Sequence, residues 1–163
     1  MSEELTSASE SPAPPQPEAN FGYLFRLAHQ RFRALLAGAL EDLGLSAQDY
    51  GILSVFDTRP ELSSSELARI SQVTRQTMHT SILSLEAAGL VERRAKNQRV
   101  VLVRLTAQGR ERLEAATRRV RQVEQAALAD LSREEQRTVR TWLATVAVMT
   151  AGAEKTGARK ERQ

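Results

Sequence analysis

The chain has 163 residues, 41% hydrophobic and 26% charged, with 23 Lys and Arg against 20 Asp and Glu and a formal net charge of +3. That length suits one domain with a real core. The lack of cysteine excludes disulfide stapling, thiolate metal sites and thiol redox chemistry, and two histidines, His29 and His79, cannot build a zinc site without carboxylates. No stretch approaches the roughly 18 apolar residues of a membrane span, and the acidic, polar start has neither the basic opening nor the apolar run of a signal peptide. A cytoplasmic protein without membrane contact is expected.

Residues 1–19 hold four of the five prolines and read as a disordered acidic arm. Asn20 can cap a helix to about residue 44, carrying Phe21, Leu24, Phe25, Ala28, Phe32, Leu35, Leu36, Ala39 and Leu43 at spacings of three and four. Its N-terminal part is apolar on more than one side. Gly44 supplies the stop. Ser46 with Asp49 opens a second helix through Tyr50, Ile52, Leu53, Val55 and Phe56, broken at Arg59-Pro60. Ser63 and Glu66 form a capping box for a short third helix. A polar step, Ser71-Gln72-Val73, leads to Thr74, the cap of a fourth helix that Gly89 ends.

The period then changes. VERRA and VVLVRL are strand-like and joined by a polar turn from Lys96 to Arg99. Thr106 caps a long charged helix to about Ala129, and Ser132 with Glu135 opens a last one through Val139, Trp142, Leu143, Val146 and Met149. Residues 151–163 read as a flexible basic tail. The fold class is therefore mainly α with a small β-hairpin wing: a winged helix–turn–helix over about 46–106, with about six helices in all.

Charge and phase point to a polyanion partner. Residues 61–110 carry eight bases against four acids, whereas residues 1–20 carry four acids and no base. With Arg75 at zero, His79, Gln76 and Thr80 fall at about 40°, 100° and 140°, while Leu85, Met78 and Ile82 fall at about 280°, 300° and 340°. Leu83, at about 80°, sits on the polar side. Arg can grip guanine and Gln adenine through paired hydrogen bonds. Ser and Thr hydroxyls suit phosphates, as do free backbone donors at helix starts. The candidate DNA contacts are Ser63, Ser64, Thr74, Arg75, Gln76, Thr77, His79 and Thr80, with Arg94, Lys96, Asn97 and Arg99 on the wing.

The run SELARISQVTRQTMHTSILSLEAAGLVERR with VVLVRLTAQGRERL resembles the DNA-binding core of the MarR family of bacterial and archaeal transcription regulators. Its most specific pieces are Leu85-Glu86-x-x-Gly89-Leu90-Val91-x-Arg93 and Val103-x-Leu105-Thr106-x-x-Gly109. The resemblance implies a homodimer built from the N- and C-terminal helices (about 20–44 and 107–150), repression of a nearby operon or its own gene, and release of DNA on binding a small, often aromatic, ligand. This wing departs from the family's: it is short, lacks the acid before paired arginines, and only Arg99 matches. Ser81 stands where a leucine is usual, and Thr80 where an arginine is frequent.

A twofold pair would also bury both sticky termini and place two recognition helices about 34 Å apart, on a pseudo-palindromic operator. A ligand crevice is expected where the first two helices meet the long fifth one, lined by Phe32, Leu36, Tyr50, Leu53 and Leu113. His29 or Arg33 would meet an acidic group. No catalytic constellation, cofactor motif or metal cluster is visible. The competing readings are a winged-helix protein adaptor and a non-specific architectural DNA binder.

Overall fold

The computed structural model describes Gln16, residues 20–95 and residues 101–160, with side chains through Ala147. The expected arm (1–19, apart from Gln16) and the wing tip, Lys96, Asn97 and Arg99 included, lie outside the described residues. Six helices and three strands follow in the order α1 (Phe21–Leu40), α2 (Ala47–Ser54), β1 (Leu62–Ser63), α3 (Ser64–Ile70), α4 (Arg75–Ala87), β2 (Val91–Ala95), β3 (Val101–Leu105), α5 (Ala107–Ala127) and α6 (Arg133–Lys160). Short 3-10 turns extend α1 and α2 over Glu41–Leu43 and Val55–Asp57. The bounds of α6 take in residues 151–160, which composition assigns to the tail.

The boundaries follow from local chemistry. The Asn20 side chain accepts from the backbone N–H of Gly22 and Tyr23, and Thr74 and Thr106 do the same for Thr77 and Gly109. Ser46–Asp49 and Ser63–Glu66 are reciprocal capping boxes, and Ser132 with Glu135 makes the same pair of bonds at the start of α6. Gly44 and Gly89 stop their helices in the left-handed region, at φ 63° and 71°, where a side chain would be strained.

The sheet is antiparallel, in the order β1-β3-β2. Its third strand was not expected: Leu62 and Ser63 pair with Val103 and Leu102, so the capping box of α3 grows directly out of the sheet. In β3 the alternation of period two turns Val103 and Leu105 inward. In β2 only Val91 is buried, and the strand then leaves the core as the wing.

One core joins these parts. Ile52 and Leu53 of α2, Leu67 of α3, Met78, Ile82 and Leu85 of α4, Val91, Val103 and Leu105 of the sheet, and Leu113, Ala116 and Val120 of α5 are all buried. Each large side chain contributes about 1.5–3 kcal/mol. From α1 only Leu40 is fully buried, a residue the apolar spacing passed over in favour of Ala39 and Leu43. Two arginines of α5 fasten that end of α1. Arg119 donates to the Ala39 carbonyl at 3.2 Å and grips both carboxylate oxygens of Asp42, and Arg112 donates to the Leu43 carbonyl. Carbonyls left over at a helix C-terminus thus find charged donors.

The far ends of α1 and α6 are different. Phe21, Tyr23, Phe25, Leu35, Trp142 and Leu143 remain exposed. Phe21 and Phe25 meet Trp142 edge-on, with ring centroids 5.3 and 6.0 Å apart. Among the described residues no helix is long and apolar enough to cross a membrane.

Candidate nucleic-acid interface

α3 and α4 are linked by Ser71–Thr74, a turn tight enough that Gln72 adopts φ 54°. The Val73 N–H donates to the Ala68 carbonyl at 3.1 Å, and the Thr74 cap starts α4 at once. The phase argument for α4 holds in three dimensions: Met78, Ile82 and Leu85 are buried, whereas Arg75, Gln76, Thr77, His79 and Thr80 are exposed. The misfit Leu83 is exposed too, at 43%, so it belongs to the outer face. Among the described residues the side chains of Arg75, Gln76 and His79 have no hydrogen-bonding or ionic partner.

The hydroxyls are more occupied. Ser63 Oγ pairs with Glu66 Oε2 at 2.6 Å and accepts from the Glu66 N–H; Thr74 and Thr77 share a hydroxyl pair at 2.8 Å; and Thr80 donates to the Gln76 carbonyl at 3.2 Å. Ser63 and Thr74 are therefore caps first, and the Thr77 hydroxyl is tied to the Thr74 cap. Ser64, half-buried, is the first residue of α3.

The wing base is held by ion pairs that the sequence did not reveal. Arg93 reaches back to the last turn of α4, with Nη2 2.6 Å from Glu86 Oε2 and Nε donating to Oε1 at 3.1 Å. The hydrogen bonds from Arg93 to Glu86 raise the Arg93 pKa above its ordinary value. This pair accounts for two of the motif positions, Glu86 and Arg93. Arg104 lies opposite Glu92 in the ladder and donates to it at 2.6 Å, with Glu61 3.9 Å away. Arg94, exposed and free of any ion pair among the described residues, is the wing cation left available, lining a small pocket with Glu61, Ala95 and Leu102.

α5 is docked on the wing base by the second motif. Thr106 Oγ1 donates to the Gly89 carbonyl at 2.6 Å, the Thr106 N–H donates to the Leu90 carbonyl at 3.1 Å, and Gly109 packs directly on that same carbonyl. Recognition helix, wing and α5 therefore form one connected unit.

The seven expected ligand residues fall into three surroundings. Leu53 and Leu113 are in the core, with Leu36 and Tyr50 half-buried against it. His29 and Phe32 line an apolar cavity of about 610 Å³ between α1, α5 and α6, whose other walls include Leu35, Leu128, Trp142 and Leu143. Arg33 lines a separate, more polar hollow of about 640 Å³ with Glu41, Ser46 and Gln48. Among the described residues no group of three or more His, Asp or Glu is placed to hold a metal ion.

Comparison with known proteins agrees with this architecture. The family model described as MarR family matches residues 43–99, from the end of α1 to the wing tip. The HTH-type transcriptional repressor Rv2887 of Mycobacterium tuberculosis is 36% identical over 128 residues, covering 77% of this chain and 92% of that protein. A probable transcriptional regulator from Pseudomonas aeruginosa superposes with a TM-score of 0.72 at 30% identity, over 80% of this chain and 99% of that one. Crystal structures of Rv2887 in complex with DNA and with salicylic acid superpose with TM-scores of 0.65 and 0.63, at 34% and 35% identity. They cover 79% and 80% of this chain and 98% of theirs. The sequence match, the shared fold and the ion-paired motif residues lead to one conclusion: this chain belongs to the MarR family of winged-helix transcription regulators.

Proposed function

We propose that the chain is a sequence-specific, double-stranded-DNA-binding repressor, acting as a homodimer on a pseudo-palindromic operator and released by a small aromatic acid. The observation that carries this reading is the outer face of α4, where Arg75, Gln76 and His79 stand exposed without a partner among the described residues. An Arg and a Gln free on one helix face have the donors that guanine and adenine edges accept in a major groove. Arg94, with Lys96, Asn97 and Arg99 beyond it, supplies the wing's charge, and the backbone donors near Ser63, Ser64, Thr74 and Thr77 serve phosphates. His79 and Thr80 complete the reading face.

The exposed aromatics of α1 and α6 support self-association, because a patch containing Phe21, Phe25 and Trp142 costs free energy in water. The aromatic-acid class of effector is carried over from Rv2887, which was solved with salicylic acid. In the apolar cavity between α1, α5 and α6, His29 would meet its carboxylate and Phe32 would offer apolar surface; Arg33, Leu36, Tyr50, Leu53 and Leu113 do not line that cavity. Cytoplasmic, nucleoid-associated work follows from a DNA target, and no cofactor or catalytic residue is assigned.

The test is a mobility shift on DNA upstream of the chain's own gene. Arg75→Ala should lose about 1–3 kcal/mol of preference for the operator over unrelated duplex. Arg94→Ala and Arg99→Ala should instead weaken binding to every sequence and lower the slope of log affinity against log salt by about one each. Retention of full operator preference in Arg75→Ala would refute the reading.

A further inference from the structure

α4 carries one buried polar residue among its apolar anchors. Ser81 is 9% exposed and is the only polar residue buried as a whole among the described residues, although the Ser71 hydroxyl is buried too. Ser81 sits at about 240° on the helix, between the buried arc and the polar flank formed by Gln76, Thr80, Ser84 and Thr77 at about 100–200°. Leaving such a hydroxyl without a partner costs about 1–3 kcal/mol. Its partner comes from another helix: Gln48 Nε2 donates to Ser81 Oγ at 3.0 Å.

The backbone of Gln48 is a fixed post, from which its exposed side chain reaches Ser81. Gln48 is the second residue of α2, whose first turn is locked by the Ser46–Asp49 capping box. Between this turn and α4 lies a cleft of about 460 Å³ walled by Gln48, Asp49, Gln76, Thr77, Thr80 and Ser81. The same cleft thus borders two residues of the DNA-reading face. The apolar anchors Met78, Ile82 and Leu85 hold α4 on the core, but apolar contact is non-directional. A hydrogen bond is directional.

We propose that the Gln48–Ser81 hydrogen bond is a positioning contact that sets the rotation of α4 about its axis and thereby its base preference. The inference rests on α4 being the DNA-reading helix. At a side-chain radius of about 6 Å, a rotation of about 10° displaces a side chain by about 1 Å, enough to spoil a paired hydrogen bond to a base edge. Phosphate contacts tolerate such a shift, because Coulomb attraction falls off slowly over that distance.

The experiment selects an operator from a random oligonucleotide pool with the full chain. It then compares affinity for that operator and for unrelated duplex in wild type, Ser81→Ala, Gln48→Met and the double variant, with thermal unfolding measured in parallel. Each single variant should lose operator preference by about fivefold, the worth of one hydrogen bond, while its affinity for unrelated duplex stays within about twofold. The double variant should lose no more than the worse single, since both remove one bond. Unchanged operator preference in both singles, with or without a lower melting temperature, would overturn the proposal, as would losses that simply add. Wild type without any operator preference would refute the DNA-reading role of α4 instead, and the inference with it.

Discussion

Gly109 is the position where the smallest possible substitution should do the most damage. A Cβ built there would lie 1.9 Å from the Leu90 carbonyl oxygen and 2.9 Å from its carbon. The obstruction is backbone at the start of the wing, so no rotamer change relieves it. α5 must retreat by more than about 1 Å to reach van der Waals distance. That retreat pulls apart the Thr106 bonds to the Gly89 and Leu90 carbonyls, 2.6 and 3.1 Å long, at about 1 kcal/mol each. Overpacking adds about 1–3 kcal/mol, and the better helix propensity of alanine returns about 1 kcal/mol. The net loss for Gly109→Ala is about 3 kcal/mol, or roughly 10 °C in melting temperature, read by circular dichroism at one protein concentration. Gly51→Ala is the control: nothing lies within 4 Å of the place its added methyl would take, so it should gain up to about 1 kcal/mol. A Gly109→Ala protein melting within about 2 °C of wild type would refute the docking argument.

Two further outcomes follow from the geometry. Gln72 is held in a left-handed conformation at φ 54°; Gln72→Gly should raise the chemical-denaturation midpoint by the equivalent of about 0.5–1 kcal/mol at an unchanged slope, and a lower midpoint would show that the side chain stabilises the turn in another way. The hydrogen bond from Arg119 holds the Asp42 carboxyl below its ordinary 3.8, so the stability it lends is complete above that value and disappears as pH falls through the lower, folded-state value. Acid titration of unfolding should accordingly show a steeper decline for wild type than for Asp42→Asn below about pH 4, and identical curves would remove the pair from the account of how α1 is held.

What could be read from the sequence was what depends on near neighbours along the chain. Caps at Asn20, Ser46, Ser63, Thr74, Thr106 and Ser132 need only a side chain and a backbone donor two or three residues on, so the helix starts were legible. The amphipathic split of α4 was legible for the same reason. Spacing alone does not choose between Ala39 and Leu40, each three or four positions from both Leu36 and Leu43; contact with the core chooses Leu40. β1 was missed because two residues carry no period; its existence depends on Val103 and Leu102 being brought alongside. The contacts Glu86–Arg93, Glu92–Arg104 and Gln48–Ser81 join residues 7, 12 and 33 positions apart, across element boundaries where no helical or strand spacing applies.

Those ion pairs change the meaning of the basic segment. Counting residues gives the wing strands Arg93, Arg94 and Arg104 as equal cations, but Arg93 is committed to Glu86 and Arg104 to Glu92. Neither can neutralise a phosphate without giving up an acid that is then left unpaired beside a polyanion. They tie β2 to the last turn of α4 and pair β2 with β3 across the ladder. Among the described residues of the winged motif, the arginines outside any ion pair are Arg59, Arg69, Arg75 and Arg94, fewer than composition suggests. Affinity should depend correspondingly less on salt than eight bases would imply, since each phosphate neutralised adds about 0.9 to the slope.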